Sequence, residues 1–175
     1  MNKFISLYEH QEGLKFLTLM KMMKAAQHRG HMTKMDLIAV CEWKSSRARP
    51  LCSSNHTNTI KAASMRSFQT TNEAERMENL LTLSGVGIPM ASAILAAMNP
   101  RQYGVIDIRV WQALHHFGEV ATNPSGKNLR LSHWISYLKV IRKYAAKHAM
   151  TAREIEKAIF NYHKEKLQEG TLYGE

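Results

Sequence analysis

The chain has 175 residues and a mass of 20.0 kDa, the length of one domain that two lobes can share. Its 45% hydrophobic and 22% charged residues exclude wholesale disorder, and nine Gly with four Pro exclude a collagen-like or low-complexity chain. Lys and Arg outnumber Asp and Glu by 24 to 14, giving a formal net charge of +10, a surplus that points to a polyanionic partner, nucleic acid above all.

The charge is unevenly placed. Residues 1–70 carry eleven basic and four acidic side chains, a net +7, and residues 101–150 carry eight and two, a net +6. Residues 71–100 are net −2 and residues 151–175 net −1, so two basic segments flank a nearly neutral, apolar one. Two cysteines, Cys41 and Cys52, exclude a disulfide scaffold and a four-cysteine zinc or iron–sulfur centre. The apolar stretch 14–23 is cut by Lys15 and Lys21, which argues against a secretory signal, and no run approaches the ~20 apolar residues of a membrane span. The expectation is a cytoplasmic monomer with reduced thiols and no membrane partner.

The apolar periodicity is helical nearly throughout. Leu14, Phe16, Leu17, Leu19, Met20 and Met23 follow a 3.6-residue period and predict a helix over 12–28, ended by Gly30. Thr33 with Asp36 starts a second helix that stops near Ser45–Ser46, and 46–55 reads as a loop. Asn55 is placed to cap a helix through Ile60, Met65 and Phe68, and Thr71 or Asn72 to cap one through Met77, Leu80 and Leu81. Residues 84–88 form a glycine-bearing turn, and Pro89 suits the first turn of the next helix, which Pro100 stops. Asp107 is placed to cap a helix with Val110, Trp111 and Leu114; Trp111 and Trp134 read as core. Residues 118–128 form the longest loop, a helix runs from about Leu131 to Lys147, and Thr151 with Glu154 makes a capping box for a last helix to about Leu167. The end, Gly170 to Glu175, reads as frayed, and no alternation predicts a sheet.

The most informative stretch is 80–114, LLTLSGVGIPMASAILAAMNPRQYGVIDIRVWQAL. Glycines at 85 and 87 permit a tight hairpin with positive φ and close backbone approach. The free N–H groups at the start of the following helix, with its dipole, suit a phosphate. Ala91, Ser92 and Ala93 let two short helices pack closely. Asp107 follows twenty residues after Gly87, behind Tyr103-Gly104-Val105-Ile106. It reads either as a plain N-cap or as a carboxylate that stabilises developing positive charge on a sugar, and a helix N-terminus favours a negative charge in both cases.

The pattern h-x-x-h-x-G-h-G-x-x-x-A resembles a helix-hairpin-helix motif, a sequence-independent clamp on the DNA backbone. Hairpin and aspartate together resemble the helix-hairpin-helix DNA glycosylases, the superfamily of endonuclease III, adenine mismatch glycosylase and 8-oxoguanine glycosylase. The resemblance rests on residues 80–114, a fifth of the chain. It implies an all-α fold of two helical lobes around a cleft. One lobe would span about 30–107 and contain the hairpin (72–98); the other would join 1–29 to 108–175. It implies that Asp107 is the catalytic carboxylate and that Gly85, Val86, Gly87 and Pro89 meet the DNA backbone. It also implies a K⁺ or Na⁺ ion on the backbone carbonyls of Leu81, Leu83 and Val86, bridging to a phosphate. Bifunctional members carry a Schiff-base lysine two residues after the second hairpin glycine. Pro89 stands there, so the implied enzyme is monofunctional and uses water, and Lys44 is the lysine to watch as a substitute. The chain has no cysteine after Cys52, so the C-terminal iron–sulfur cluster of endonuclease III relatives is not expected, and it is shorter than typical members.

Other residues stay open between two roles. Trp43 and Lys44, followed by Arg47 and Arg49, suit stacking on an extruded base with phosphate contacts; equally, Trp43 ends a helix as a packed residue and the three cations are solvated. Arg109 would pair with Asp107 or bind phosphate, and Tyr103 would line a pocket or pack. His28 with His31, and His115 with His116, lack a third ligand at metal-site spacing. The leading expectation is a DNA glycosylase of base-excision repair, a hydrolase acting on a flipped base in double-stranded DNA. The alternatives are a non-catalytic helix-hairpin-helix DNA-binding module and a helical protein-interaction domain whose GVG turn is structural.

Overall fold

The computed structural model of the chain describes Met1 and residues 12–167, so the frayed end expected at Gly170–Glu175 lies outside the described residues. The described chain is all-helical, and no strand occurs among the described residues. It divides into two compact units, Glu12–Asn99 and Pro100–Glu175 with Met1–Gln11.

The first unit contains α1 (Leu14–Arg29), α2 (Lys34–Ser45), α3 (Arg49–Ser54), α4 (Thr57–Gln69), α5 (Glu73–Leu81) and α6 (Ile88–Met98). Helix α6 is its centre. Nine of its residues, from Ile88 through Ala97, are buried, and α1, α2 and α5 pack around it. A helix that is apolar on all sides has to be enclosed in this way. The alanines at 91, 93, 96 and 97 let its neighbours approach closely. Helix α1 buries Phe16, Leu19, Met23 and Ala26, whereas Leu14 and Leu17 are 83% and 40% exposed. The expected apolar face was thus one turn too early, and Ala26 extends it at the other end. Gly30, at φ +78°, ends the helix in the left-handed region.

Local chemistry fixes the next boundaries. Asp36 Oδ2 accepts from the Thr33 amide at 2.7 Å, the Thr33 hydroxyl at 2.8 Å and Arg29 Nη2 at 2.6 Å, so one carboxylate caps α2 and ties it to the end of α1. Residues 46–55, expected as a loop, instead form a 3₁₀ turn (Ser46–Ala48) and the short helix α3, with Pro50 in its first turn. Proline in the first turn starts a helix as readily as it ends the preceding one. The cap of α4 is His56, not Asn55. Asn72 caps α5 by accepting from the amides of Ala74 and Glu75.

The second unit contains α7 (Ile108–His116), α8 (Leu131–His148) and α9 (Ala152–Tyr162), which continues as a π turn over His163–Leu167. Helix α9 packs on both α7 and α8. The core holds Trp111, Trp134, Tyr137, Ile141, Ile155 and Ile159. Thr151 and Glu154 form the expected capping box. The amides of Ala152 and Arg153 donate to the carbonyls of Arg101 and Pro100 at 3.2 and 3.0 Å, which docks the turn 100–102 on the start of α9.

Candidate functional site

In the first unit, α5 and α6 are joined by the turn 82–87 and pack against each other. The Leu83 amide donates to the Leu80 carbonyl at 3.2 Å and the Val86 amide to the Leu83 carbonyl at 3.1 Å, closing the turn. Leu83 and Val86 are buried and anchor it from below. The two glycines have different reasons. Gly85 has φ +78°, and a Cβ there would lie 2.9 Å from Leu51 Cβ and 3.0 Å from the Cys52 amide nitrogen. Both conformation and space therefore require glycine.

Gly87 does not have the positive φ expected of it. Its φ of −97° is open to any residue, and it is the N-cap of α6. It is exposed, and a Cβ would meet only Pro89 Cδ at 3.9 Å. What its missing side chain provides is open access to the start of α6. Pro89 sits in the first turn of that helix, where no amide hydrogen is lost.

The turn is braced by a residue that sequence reasoning assigned elsewhere. Asn55 is buried at the end of α3. Its Nδ2 donates to the carbonyls of Leu51, Cys52 and Ser84, and its Oδ1 accepts from the Ser84 amide at 2.9 Å. One side chain thus joins α3 to the hairpin. Arg47 and Arg49 lie at the other end of this short segment; both are exposed, and Arg49 pairs with Glu42 at 3.2 Å. Trp43, near the end of α2, is half-buried with its ring 4.9 Å from Phe16, and Lys44 beside it is also half-buried. Cys52, under Gly85, lies 3.7 Å from Met90 Sδ. Burial and a hydrogen bond with Cys41 push its thiol up to about 12, so it is no nucleophile at neutral pH.

In the second unit, Asp107 is the N-cap of α7, its Oδ1 accepting from the Val110 amide at 3.1 Å. The segment leading to it is tightly held. The Val105 amide donates to Glu156 Oε2 at 3.1 Å, and the same oxygen pairs with Arg153. A Cβ on Gly104 would lie 2.5 Å from Tyr137 Oη and 2.7 Å from Glu156 Cβ, so only glycine fits between α8 and α9. Burial raises the Glu156 carboxyl and the Tyr137 phenol; Asp107 adds to both shifts and Arg153 opposes both. The Tyr137 hydroxyl is buried with no hydrogen-bond partner among the described residues.

On the other side, the buried His163 faces Gln112 Oε1 through Nε2 at 2.9 Å. Burial lowers its basicity, Arg109 lowers it further, and Asp107 acts against them. Glu156, Tyr137 and His163 are thus buried polar residues of the second unit, and the charge of Asp107 acts on all three. Tyr103 is buried, its ring 6.1 Å from Trp134 and 5.1 Å beneath the Arg142 guanidinium. Arg109 lies 5.4 Å from the Phe160 ring.

Glu156 and His163 were missed, yet a signal exists. Positions 152, 155, 156, 159 and 163 form one helical stripe, occupied by Ala, Ile, Glu, Ile and His, so a carboxylate and an imidazole interrupt an apolar face. No group of three or more His, Cys, Asp or Glu able to hold a metal occurs among the described residues. No helix of the described residues is long and apolar enough to cross a membrane. Comparison with known proteins finds no matching family model, no matching curated protein and no matching solved structure.

Proposed function

We propose that the chain is a monofunctional DNA glycosylase with the helix-hairpin-helix glycosylase fold, hydrolysing the N-glycosidic bond of a flipped, damaged or modified base. The observation that carries this reading is the α5–α6 hairpin, in which Gly87 caps α6, is exposed and has open space where a side chain would be. The Met90 and Ala91 amides donate to the Gly87 carbonyl and Pro89 has none, so the Gly87 and Ile88 amides are the ones offered to a phosphodiester, independent of base sequence. The neutral carbonyls of Leu81, Leu83 and Val86 suit K⁺ or Na⁺, and Leu83's, which accepts one hydrogen bond, keeps a second lone pair. An ion held there would bridge to the same phosphate.

Asp107 supplies the chemistry. As the C1′–N bond breaks, its electron pair leaves with the base and positive charge grows on the sugar. The carboxylate stabilises that charge and orients a water, whose oxygen bonds to C1′. The released proton neutralises the departing base, leaving an abasic site. With Pro89 where an amine would stand, no Schiff base forms at that position and the strand stays intact.

The non-catalytic DNA-binding module is the second reading. It is favoured by the ordinary capping bond from Asp107 to the Val110 amide, which is a sufficient structural role for the residue. Single-turnover excision on duplexes carrying uracil, 8-oxoguanine, alkylated purines, hypoxanthine or mismatches separates the two. Asn caps helices as well as Asp, so Asp107→Asn preserves the fold while removing the charge. Excision of one base that appears only after alkali, and is lost in Asp107→Asn with duplex affinity kept, is the expected result. Excision at the wild-type rate in that variant overturns the catalytic assignment.

A further inference from the structure

The loop between α7 and α8 is held firmly to α7. Trp111 Nε1 donates to the carbonyls of Thr122 and Asn123 at 3.1 and 2.9 Å, and Gln112 Nε2 to that of Ser125 at 3.0 Å. Gly126 lies against Ile108, where a Cβ would come within 2.7 Å of the Ile108 carbonyl oxygen. With the first turn of α8, this loop lines an open cavity of about 540 Å³. Its walls include Ser125, Lys127, Asn128, Arg130, Ser132 and His133, and no carboxylate. The Arg130 amide donates to His133 Nδ1 at 2.9 Å, so in the neutral ring Nε2 carries the proton and is a donor.

Lys143 meets Glu119 and Arg153 meets Glu156. Among the described residues, neither Lys127 nor Arg130 is ion-paired. A concave surface with two unpaired cations, hydroxyl and amide donors and no acid is matched to a phosphate oxyanion, whose charge-assisted hydrogen bonds such groups make best.

We propose that the Lys127–Arg130 cavity is a second phosphate-binding site, which holds a backbone phosphodiester of duplex DNA at a point other than the hairpin. The proposal rests on the reading of the chain as DNA-binding. It adds that the helix capped by Asp107 also carries a backbone anchor, since α7 holds the loop that forms the cavity.

The test compares wild type with Lys127→Glu/Arg130→Glu and with Lys139→Glu/Lys147→Glu, an equal charge change on exposed positions of α8. Binding of a labelled duplex is followed across a salt series, and inorganic pyrophosphate is titrated while the amide resonances of Ser125 to His133 are recorded. The pocket variant is expected to flatten the slope of log K against log salt by about 0.9, the share of the one phosphate neutralised, and the control by less. Pyrophosphate is expected to shift the pocket resonances in wild type only. Equal duplex affinity and slope in wild type and pocket variant overturn the DNA anchor while leaving the hairpin reading standing; pyrophosphate shifts seen with that result assign the cavity to a free phosphate compound. No duplex binding by wild type, with the pyrophosphate shifts intact, sinks the glycosylase reading and the DNA anchor together but keeps the phosphate site. No pyrophosphate shift and no slope change overturn the site altogether.

Discussion

Gly85 and Gly87 look interchangeable in the sequence and are not. Gly85 is required by the fold: its φ is +78°, and α3 leaves no space for a methyl group. Gly85→Ala should cost about 2–4 kcal/mol, the left-handed backbone and the overpacking together, read as a lowered denaturant midpoint. Gly87 is open and extended, so Gly87→Ala should cost under about 1 kcal/mol as a poorer N-cap. If the start of α6 meets a phosphate, the added methyl stands in its path. Duplex affinity should then fall roughly tenfold, the worth of one charge-assisted hydrogen bond. A Gly87→Ala protein that is stable and binds duplex like wild type removes the hairpin from the interface. At this scale the sequence made both residues legible as turn glycines. It could not separate conformational need from access, because that depends on Leu51 and Cys52, more than thirty residues away.

Among the elements, α3 was the least legible. Pro50 and the serines around it carry loop chemistry, and a six-residue helix has no periodicity to read. Its existence depends on what it packs against. Asn55 shows this: as a cap it would be a local residue, but it is a buried clamp between α3 and the hairpin. Asn55→Ala would strip the Ser84 amide and carbonyl of their partner, while the Leu51 and Cys52 carbonyls keep the Ser54 hydroxyl and the residue-55 amide. It should destabilise the chain by roughly 1–3 kcal/mol, measured by chemical unfolding, whereas loss of a mere cap at an exposed position would cost nearer the bottom of that range. The boundaries of the other helices were readable because their caps are local: Thr33 with Asp36, Asn72, Asp107, and Thr151 with Glu154 lie within three or four residues of the amides they serve.

Taken over the molecule, the buried polar group of the second unit should make stability depend on pH. His163 is buried, and its basicity is lowered by burial and by Arg109 against the opposing Asp107. A lowered folded value means that the unfolded chain binds the proton more readily. Stability is therefore complete above the ordinary value of 6.5 and is lost as pH falls below it. The denaturant midpoint should decline on acidification from neutral pH, and the decline should be shallower in His163→Gln. Parallel curves for the two proteins would show that another group carries the dependence.

The sequence by itself determined the helical class, the order and limits of most helices, the turn at 84–88 and the capping position of Asp107. Each of these follows from a 3.6-residue period or from a side chain reaching amides a few positions away. Tertiary structure decided the rest. It placed α1 with the hairpin segment in one unit, made a helix of Arg49–Ser54, and buried Glu156, Tyr137 and His163 in the other unit. It also gathered Lys127 and Arg130 into one cavity. These depend on contacts between residues far apart in the chain, where burial and a distant partner, not local propensity, set what a side chain does.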